Sequence, residues 1–293
     1  MEHLIKTSNC PICESESLVD VMTIKDHMIT QEIFSIQRCS DCDFHFTNPR
    51  PTEEVIGHYY KSENYISHSS SKKGIINKLY NKVRSYTLKQ KRHILEGLTE
   101  NRNLLDIGSG TGHFFNECKN NGWNAIGLEP DNDARDFALT NFNIQLSPIE
   151  RLYELEKAFV DVVTMWHVLE HVFHLKKDVE QIASLIKQDG YFIIAVPNRE
   201  SWDAKYYKEF WAAYDVPRHL YHFSEKNMIQ LVEQFGLKHH QTLPMKFDSF
   251  YVSMLSEKYI KGSLVKAFFN GLKSNRKAKS EGGFSSQIYI FKK

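Results

Sequence analysis

A glycine-rich turn follows a short apolar run at residues 104–115, LLDIGSGTGHFF. The run ends in Asp106 and Ile107, and glycine occupies positions 108, 110 and 112. Glycine adopts backbone conformations closed to other residues and lets the chain approach a ligand closely. In an open parallel sheet, ligands bind beyond the carboxyl ends of the strands, where the first strand–helix turn lies. The stretch therefore predicts a strand, a cofactor-binding turn and a helix.

Strand-like and helix-like segments alternate from residue 103 onward. This alternation favours a parallel sheet covered by helices on both faces, and so an α/β fold. The clearest helical patterns are His174–Gln188 and Ser224–Phe235, the second with an N-cap serine at its start. Residues 247–284 interrupt the rhythm with a helix-like apolar run and a basic run, KSNRKAKSEGG, which we interpret as a solvated loop. The predicted strands are Asn103–Ile107, Ala125–Glu129, Phe142–Leu146, Val160–Trp166, Tyr191–Pro197, His239–Met245 and Gln287–Phe291.

Two cofactors compete for the glycine turn. A dinucleotide site has the pattern G-x-G-x-x-G with a pyrophosphate at the helix N-terminus, but here His113 occupies the third glycine position. The chain reads G-x-G-x-G after Asp106, and an acid before the turn suits a ligand with an ammonium group. Glu129 could hold both ribose hydroxyls, a feature that NAD sites share. The turn disfavours an NAD-linked oxidoreductase, which stays as an alternative.

The motif DIGSGTG, followed by EPD after the second strand, resembles class I S-adenosylmethionine-dependent methyltransferases. The resemblance covers residues 101–293 and implies a Rossmann-like sheet of seven strands, the last antiparallel. It implies S-adenosylmethionine as cofactor, with Asp106 facing its methionine part, Glu129 its ribose and Asp131 its adenine. The turn after the fourth strand would face the amino-acid end. The implied cofactor residues are Asp106, Gly108, Ser109, Gly110, Gly112, Glu129, Pro130, Asp131, Met165, Trp166 and His167.

Four of the five cysteines form two CxxC pairs, Cys10 with Cys13 and Cys39 with Cys42. The sequence shows no signal peptide and no run of the ~20 apolar residues that span a bilayer. We therefore expect a cytoplasmic location, where thiols stay reduced. Two CxxC turns can supply four thiolates to one tetrahedral Zn²⁺ with no open coordination position. We predict a structural zinc site, and the lack of a surrounding βαβ pattern disfavours redox chemistry.

The segment RCSDCDFHFTNPRPTEEVIGHYY resembles the zinc-binding module that precedes some small-molecule methyltransferases, best known among deoxysugar C-methyltransferases. The match is partial, because those relatives usually carry a further C-terminal domain. The predicted organisation is a zinc-ribbon-like module at 1–50, a helical lid or linker at 51–100 and a methyltransferase domain at 101–293. Lid tyrosines such as Tyr60 and Tyr65 could cap the pocket.

Two histidine-bearing segments are expected near the acceptor. His167 and His171 lie in WHVLEH after the fourth strand, and DVPRHLYHFS follows an aromatic insertion at 202–211. Histidine suits proton removal near neutral pH. The sugar C-methyltransferases have an E-H-x-x-Y-F-S-like segment whose histidine, taken as the base, resembles His219. Arg218 stands in place of the glutamate and cannot accept a proton, so it would suit an anionic acceptor.

These residues predict methyl transfer to a small polar acceptor such as a sugar or sugar nucleotide. His219 is the expected base, with His171 and Arg218 positioning the acceptor. A net charge of +1 provides no basic field for nucleic acid, so a small molecule is the expected partner. A fold that binds the cofactor without turnover stays as a second alternative, which the intact Asp106 and Glu129 disfavour.

Overall fold

Apolar runs form the strands of the chain, and amphipathic stretches form most of its helices. The computed structural model describes residues 3–60 and 75–293, so residues 61–74 of the predicted lid or linker, Tyr65 among them, lie outside the described residues. The strands are β1 Leu4–Ile5, β2 Leu18–Lys25, β3 Ile33–Cys39, β4 His45–Thr47, β5 Arg50–Pro51, β6 Asn103–Ile107, β7 Asn124–Leu128, β8 Val160–Trp166, β9 Ile186–Pro197, β10 Tyr221–His222, β11 Lys238–Pro244 and β12 Ser286–Lys292. The helices are α1 Ile75–Leu98, α2 His113–Lys119, α3 Asn132–Phe142, α4 Leu175–Leu185, α5 Trp202–Tyr207, α6 Glu225–Glu233, α7 Asp248–Tyr259 and α8 Leu264–Lys277.

The central sheet positions the site. Within the described residues its strand order is β11-β12-β9-β8-β6-β7. Neighbours among β6, β7, β8 and β9 pair in parallel, and β12 pairs antiparallel with both β9 and β11. The chain first builds outward from β6 to β7 and then places β8 on the other side of β6, so a ligand crevice is expected at the carboxyl ends of these strands. The predicted α/β fold is confirmed.

The third predicted strand, Phe142–Leu146, is not formed. Helix α3 extends to the first residue of this stretch, and Asn143 follows in the left-handed region with φ +53°. What remains of the pairing is an isolated parallel bridge between Leu128 and Ser147. Leu146 is nevertheless buried, so the apolar pattern predicted burial correctly and strand pairing wrongly. The sheet of the described residues thus has six strands where the resemblance implies seven.

The N-terminal sheet joins two distant parts of the chain. Its order is β10-β4-β3-β2, all antiparallel. Tyr221 and His222 of β10 pair with Phe46 and His45 of β4. Phe44, between β3 and β4, is buried against rings from both parts. The predicted zinc-ribbon module therefore shares its core with the methyltransferase part, and its boundary stays a prediction.

Helices α7 and α8 form a hairpin between the last two strands, β11 and β12. The interpretation of the basic run as a loop is wrong for its first half, because α8 continues through Lys277. The side chain of Ser263 caps α8 by accepting the N–H of Lys266, and Ala267 and Gly271 bury one face of the helix. Among the described helices, none has both the length and the apolar composition needed to cross a membrane.

Replacing Phe44 with alanine should remove the aromatic packing that joins the N-terminal segment to Tyr221 and Phe223. The Phe44 ring is 0% exposed, and its centroid lies 5.5 to 6.2 Å from those of Phe46, Tyr221 and Phe223. Truncating such a side chain costs about 3–5 kcal/mol of unfolding free energy, measurable by urea denaturation. The control is Ile33→Ala at an exposed position, and equal losses in both variants would contradict the prediction.

Candidate active site and cysteine cluster

The predicted cofactor turn lies at the carboxyl end of β6. Gly108 has φ +69°, and a Cβ there would lie 2.3 Å from Cγ2 of Val168, so the turn requires glycine. Gly110 has φ +52°, but a Cβ there would meet no atom of the described residues within 4 Å. Its N–H donates to Oε2 of Glu129 at 2.6 Å. The turn therefore has an open edge at Gly110, as a ligand-binding turn requires.

Two buried carboxylates flank this turn. Asp106 is 1% exposed and accepts a hydrogen bond from Oγ1 of Thr164 on β8 at 2.7 Å. Burial raises the pKa of Asp106 to about 6, against the opposing effect of the Thr164 hydrogen bond. Glu129 follows β7 and accepts the N–H groups of Gly110 and Asp131, and burial raises the pKa of Glu129 as well. A cationic ligand group would offset the cost of burying these charges.

The remaining predicted residues of the turn and of the second strand end have structural roles nearby. Oγ of Ser109 donates to a main-chain carbonyl of β6 at 2.9 Å, and Gly112 immediately precedes α2. Asp131 caps α3, because its Oδ1 accepts the N–H of Ala134 at 2.7 Å. Pro130 is exposed beside it. All four therefore lie at the same end of the sheet as Asp106 and Glu129.

The end of β8 supplies a third side of the crevice. Met165 is buried within the sheet, and Trp166 packs edge-on against Phe114 of α2, with ring centroids 5.3 Å apart. Nζ of Lys91 lies 4.3 Å from the centroid of the Trp166 ring. Burial lowers the pKa of Lys91 to about 8. The sequence analysis missed Lys91, because nothing in the pattern of α1 distinguishes it from a surface lysine.

His167 lies between two carboxylates just beyond β8. Its backbone is left-handed, with φ +60°, and its N–H donates to the carbonyl of Ala195 at 2.9 Å. Nε2 of its ring is 3.0 Å from Oδ2 of Asp248, and Nδ1 is 3.4 Å from Oε1 of Glu170. Burial alone would lower the pKa of His167, but Asp248 and Glu170 raise it to about 9. The imidazole is therefore a cation at neutral pH.

The structure brings the predicted His171 and His219 together. Their ring centroids are 4.6 Å apart in an edge-to-face arrangement. Nδ1 of His219 lies 2.9 Å from the carbonyl of Ala213, and Nδ1 of His171 lies 3.0 Å from the carbonyl of Arg218. The hydroxyl of Tyr60 also reaches Nδ1 of His171, at 2.9 Å. A carbonyl requires N–H opposite it, so we assign the proton to Nδ1 in both rings, with Nε2 as the acceptor.

Glu170 is a residue of this site that the sequence analysis missed. Its side chain is 0% exposed, and within the described residues no hydrogen bond reaches either carboxylate oxygen. Although burial opposes ionisation, His167 and then His171 and His219 lower the pKa of Glu170. One ligand atom each from Glu170, His171 and His219 lie within 4.8 Å of one another. The trio can therefore stabilise a proton on an imidazole or hold a divalent cation.

The role predicted for Arg218 is wrong, because its guanidinium is 1% exposed and fully used within the protein. Nε and Nη2 donate to the Asp215 carboxylate at 3.0 and 2.6 Å. Nη2 and Nη1 also donate to Asp26, and Nη1 donates to the carbonyl of Tyr59 at 2.9 Å. These contacts occupy all five N–H groups of an arginine. No donor remains for an anionic acceptor, so Arg218 supports the site structurally.

The four predicted zinc ligands converge. The Sγ atoms of Cys10 and Cys42 are 3.5 Å apart, as are those of Cys13 and Cys39, and all four sulfurs lie within 4.8 Å of one another. Tetrahedral zinc with Zn–S bonds of about 2.3 Å separates its sulfurs by about 3.8 Å. A disulfide would require about 2.05 Å, and all four thiols are free. The sulfur positions therefore fit one tetrahedral metal ion.

The two CxxC turns have the same backbone geometry. The N–H of Glu14 donates to the carbonyl of Cys10 at 3.0 Å, and the N–H of Asp43 donates to that of Cys39 at 2.9 Å. Glu14 and Asp43 are both left-handed, with φ +66° and +61°. Each turn thus directs a pair of thiols to the same side, and such duplication is what a four-cysteine metal site requires.

A comparison with protein families identifies the class of protein. A family model described as a methyltransferase domain matches residues 80–242, more than half of the chain. The chain therefore belongs to this family, and the predicted class, an S-adenosylmethionine-dependent methyltransferase, is confirmed at the level of family and fold. The family favours this class over the NAD-linked oxidoreductase. A search of curated proteins finds no match.

Solved structures share the fold at low sequence identity. An S-adenosylmethionine-dependent methyltransferase from Archaeoglobus fulgidus is 23% identical, with a TM-score of 0.50, covering 72% of this chain and 94% of its own. Geranyl diphosphate C-methyltransferase from Streptomyces coelicolor A3(2) is 15% identical, with a TM-score of 0.50 and coverage of 70% and 75%. The [4+2]-cyclase SpnF is 12% identical, with a TM-score of 0.50 and coverage of 70% and 80%. These likenesses show the fold, which by itself does not determine the reaction.

The ion pairs of His167 should make the free energy of unfolding depend on pH. Because its folded pKa of about 9 exceeds the ordinary value of 6.5, their contribution is full below pH 6.5 and is lost as pH rises through about 9. We expect the stability difference between wild type and His167→Gln to shrink over this range in urea denaturation. In an Asp248→Asn background the same substitution should cost less, and a pH-independent difference contradicts the assignment.

Proposed function

We propose that the chain transfers a methyl group from S-adenosylmethionine to a small polar acceptor, with His219 as the base. The observation that carries this proposal is the buried Glu170, which contacts His167 at the end of β8 and lies within a few ångströms of His171 and His219. This chain of contacts connects the predicted cofactor crevice to a group that can accept a proton. The hydroxyl of Tyr60 lies beside the same cluster.

The two carboxylates at the glycine turn support the assignment of the cofactor residues. When bound, S-adenosylmethionine supplies an electrophilic methyl group on a sulfonium centre. Asp106 would accept the ammonium group of its methionine part, and the pKa of about 6 raised by burial would fall when that cation binds. Both oxygens of Glu129 already accept one backbone N–H each. A carboxylate oxygen has two acceptor sites, so Glu129 can still hold the ribose hydroxyls.

The histidine cluster supports proton removal from the acceptor. Nε2 of His219 would accept the proton of an acceptor hydroxyl or amine as that atom forms its bond to the methyl carbon. Glu170 and Asp215 would stabilise the resulting imidazolium, because Oδ2 of Asp215 lies 4.0 Å from Nε2 of His219. Burial and the neighbouring His219 lower the pKa of His171 to about 4. His171 therefore stays neutral and acts as a positioning residue.

The corrected role of Arg218 changes the proposed acceptor. Because its guanidinium is fully occupied within the protein, Arg218 gives no reason to expect an anionic acceptor. We infer a polar acceptor from the uncharged hydrogen-bonding groups of His171, His219 and Tyr60. A hydroxyl-bearing or amine-bearing metabolite such as a sugar matches these groups. The partial resemblance to deoxysugar C-methyltransferases supports the sugar-like character of the acceptor, whereas the proposed methylation of a hydroxyl or amine differs from their methylation of carbon.

The acceptor is first identified by mass spectrometry, as a metabolite in cell extract whose mass rises by ~14 Da when the enzyme and S-adenosylmethionine are added. This difference is one CH₂, because the acceptor gains a methyl group and loses a proton. The catalytic assignment is then tested with this acceptor. His219→Gln should lower turnover by about 10²–10⁴-fold, the usual contribution of a general base. Calorimetric titration should show affinity for S-adenosylhomocysteine within about threefold of wild type, because His219 lies outside the cofactor crevice. The matched control is the exposed His174→Gln, which should keep full turnover.

Several outcomes would contradict this assignment. A chain that folds but fails to bind S-adenosylhomocysteine refutes the cofactor site. Cofactor binding without any methylated metabolite supports the non-catalytic alternative. Loss of turnover with EDTA that Mg²⁺ or Mn²⁺ restores would show that Glu170, His171 and His219 hold a metal, and His219 would then be a ligand in place of a base.

We also propose that the four-cysteine cluster holds one structural Zn²⁺. Elemental analysis of the purified chain should find about one zinc per molecule, and Cys10→Ser or Cys39→Ser should lose the metal and lower the melting temperature by at least about 5 °C. Cys118→Ser is the control, because this buried thiol lies outside the cluster. Zinc retained after loss of Cys39, or wild type without zinc, contradicts the site.

A further inference from the structure

Helix α8 turns its small and polar side chains toward the protein and its large apolar side chains toward solvent. Against the rest of the protein it buries small and polar side chains, namely Ala267, Asn270, Gly271 and Ser274. Its large apolar side chains face outward: Leu264 is 71% exposed, Val265 68%, Phe268 54% and Phe269 62%. A surface helix of a globular protein normally buries its apolar stripe and exposes its polar one.

Helix α7 repeats this reversal. Beside Val252, it buries three serines and a glutamate, Ser249, Ser253, Ser256 and Glu257. Tyr251 and Met254 lie on its exposed side, and Phe247 is exposed just before the helix. We call the exposed side chains of both helices the hairpin surface: Phe247, Tyr251, Met254, Leu264, Val265, Phe268 and Phe269. Contiguous apolar exposure of this extent marks an interaction surface.

Specific contacts hold the hairpin in this orientation. A Cβ at Gly271 would lie 2.8 Å from Cδ1 of Phe250, so the two helices approach closely at this glycine. Oγ of Ser249 donates to the carbonyl of Gly271 at 3.1 Å, and Nδ2 of Asn270 donates to the hydroxyl of Tyr207 at 2.8 Å. Because Ser249 and Asn270 have defined partners, rotating the helices to hide their apolar faces would break these bonds.

The segment that carries the second half of the hairpin surface is strongly basic. Residues 258–279 contain seven lysines and arginines and no acidic residue. Subtracting these seven from the net charge of +1 leaves −6 for the rest of the chain. Lys266 and Lys273 lie on one flank of the apolar stripe of α8, and Arg276 and Lys277 lie at its C-terminal end. Lys266 and Lys277 form ion pairs with Glu257 and Glu281, so the excess positive charge beside the apolar surface comes from the other five basic residues of this segment.

We propose that the hairpin surface docks on a membrane rich in anionic lipids. Amphipathic helices with aromatic and aliphatic residues on one face and lysines along its border bind in the headgroup region of bilayers. Each basic residue near an anionic surface adds to the attraction, which salt screens. A second copy of the chain is a poorer occupant, because a two-fold contact would bring the same unbalanced cations together. The proposal does not depend on the methyl-transfer assignment.

The test is flotation of the full chain with vesicles of phosphatidylcholine alone or with about 30 mol % phosphatidylserine. Wild type should float with the anionic vesicles and not with the neutral ones, and about 0.5 M NaCl should weaken binding. The apolar variant L264S/F269S and the charge variant K261E/R276E/K279E should each reduce the bound fraction at low protein concentration at least about tenfold. Circular dichroism checks that both variants stay folded.

Matched controls separate this surface from general hydrophobicity and net charge. Ile33→Ser removes an apolar side chain that is 72% exposed and lies outside the hairpin. K119E/K157E/K238E makes the same change in net charge at three exposed lysines outside the hairpin. Both controls should float like wild type. Equal losses in the controls, or no flotation of wild type at low salt, overturn the proposal. The proposal is also overturned if light scattering finds a dimer that L264S/F269S dissociates and wild type does not bind vesicles. That result would assign the hairpin surface to a second copy of the chain.

Discussion

The buried guanidinium of Arg218 is the contact on which the geometry of the acceptor site depends. It joins the turn after β2 through Asp26, the main chain at Tyr59 and the loop before β10 through Asp215. Removing one partner of such a buried ion pair typically costs about 3–5 kcal/mol, because the remaining charge is left without compensation. His219 is the next residue along the chain, so the direction of its imidazole depends on this contact. Cys10, Cys39 and Cys42 lie in one apolar cluster with residues of the central sheet, so the cysteine cluster belongs to the core that the N-terminal module shares with the methyltransferase part.

A second constraint is the burial of carboxylates at the strand ends. Asp106, Glu129 and Glu170 are each less than 10% exposed, and each follows or ends a strand of the parallel sheet. The protein compensates one of them with the His167 imidazolium, which Asp248 shares. For Asp106 and Glu129 the charge is met by hydrogen bonds and not by an ion pair, and their pKa values are raised by burial. Lys91 and Arg135 partly offset this effect of burial on Asp106 and Glu129, yet both pKa values stay raised. A site in which burial still outweighs the neighbouring positive charge favours a cationic ligand, and this is the electrostatic case for a sulfonium cofactor.

The sequence predicts those features whose cause is local. Asn103–Ile107 and Val160–Trp166 match β6 and β8 at both ends, because strands buried on both faces have continuous apolar sequences. Ser224 caps α6 as predicted. Features set by distant contacts could not be predicted in this way. The partners of Arg218 at Asp26 and Tyr59 lie 192 and 159 positions away, and the two residues of β10 form a strand because β4 pairs with them. Glu170 could have been identified as a candidate from its place beside His171 in the sequence. That no hydrogen bond reaches its carboxylate within the described residues depends on the tertiary structure and could not be predicted.

Helix α7 connects the candidate active site to the hairpin surface. It begins at Asp248, whose carboxylate contacts His167, and it ends at Tyr259, where the basic segment has begun. Twelve residues of α-helix span about 18 Å, so a membrane bound at the hairpin lies within the length of one short helix from the end of β8. Helix α7 also packs closely against α8 at Gly271, so Asp248 and the hairpin surface belong to one pair of packed helices. The position of the hairpin between β11 and β12 thus places part of the proposed docking surface and a charged partner of His167 on one helix.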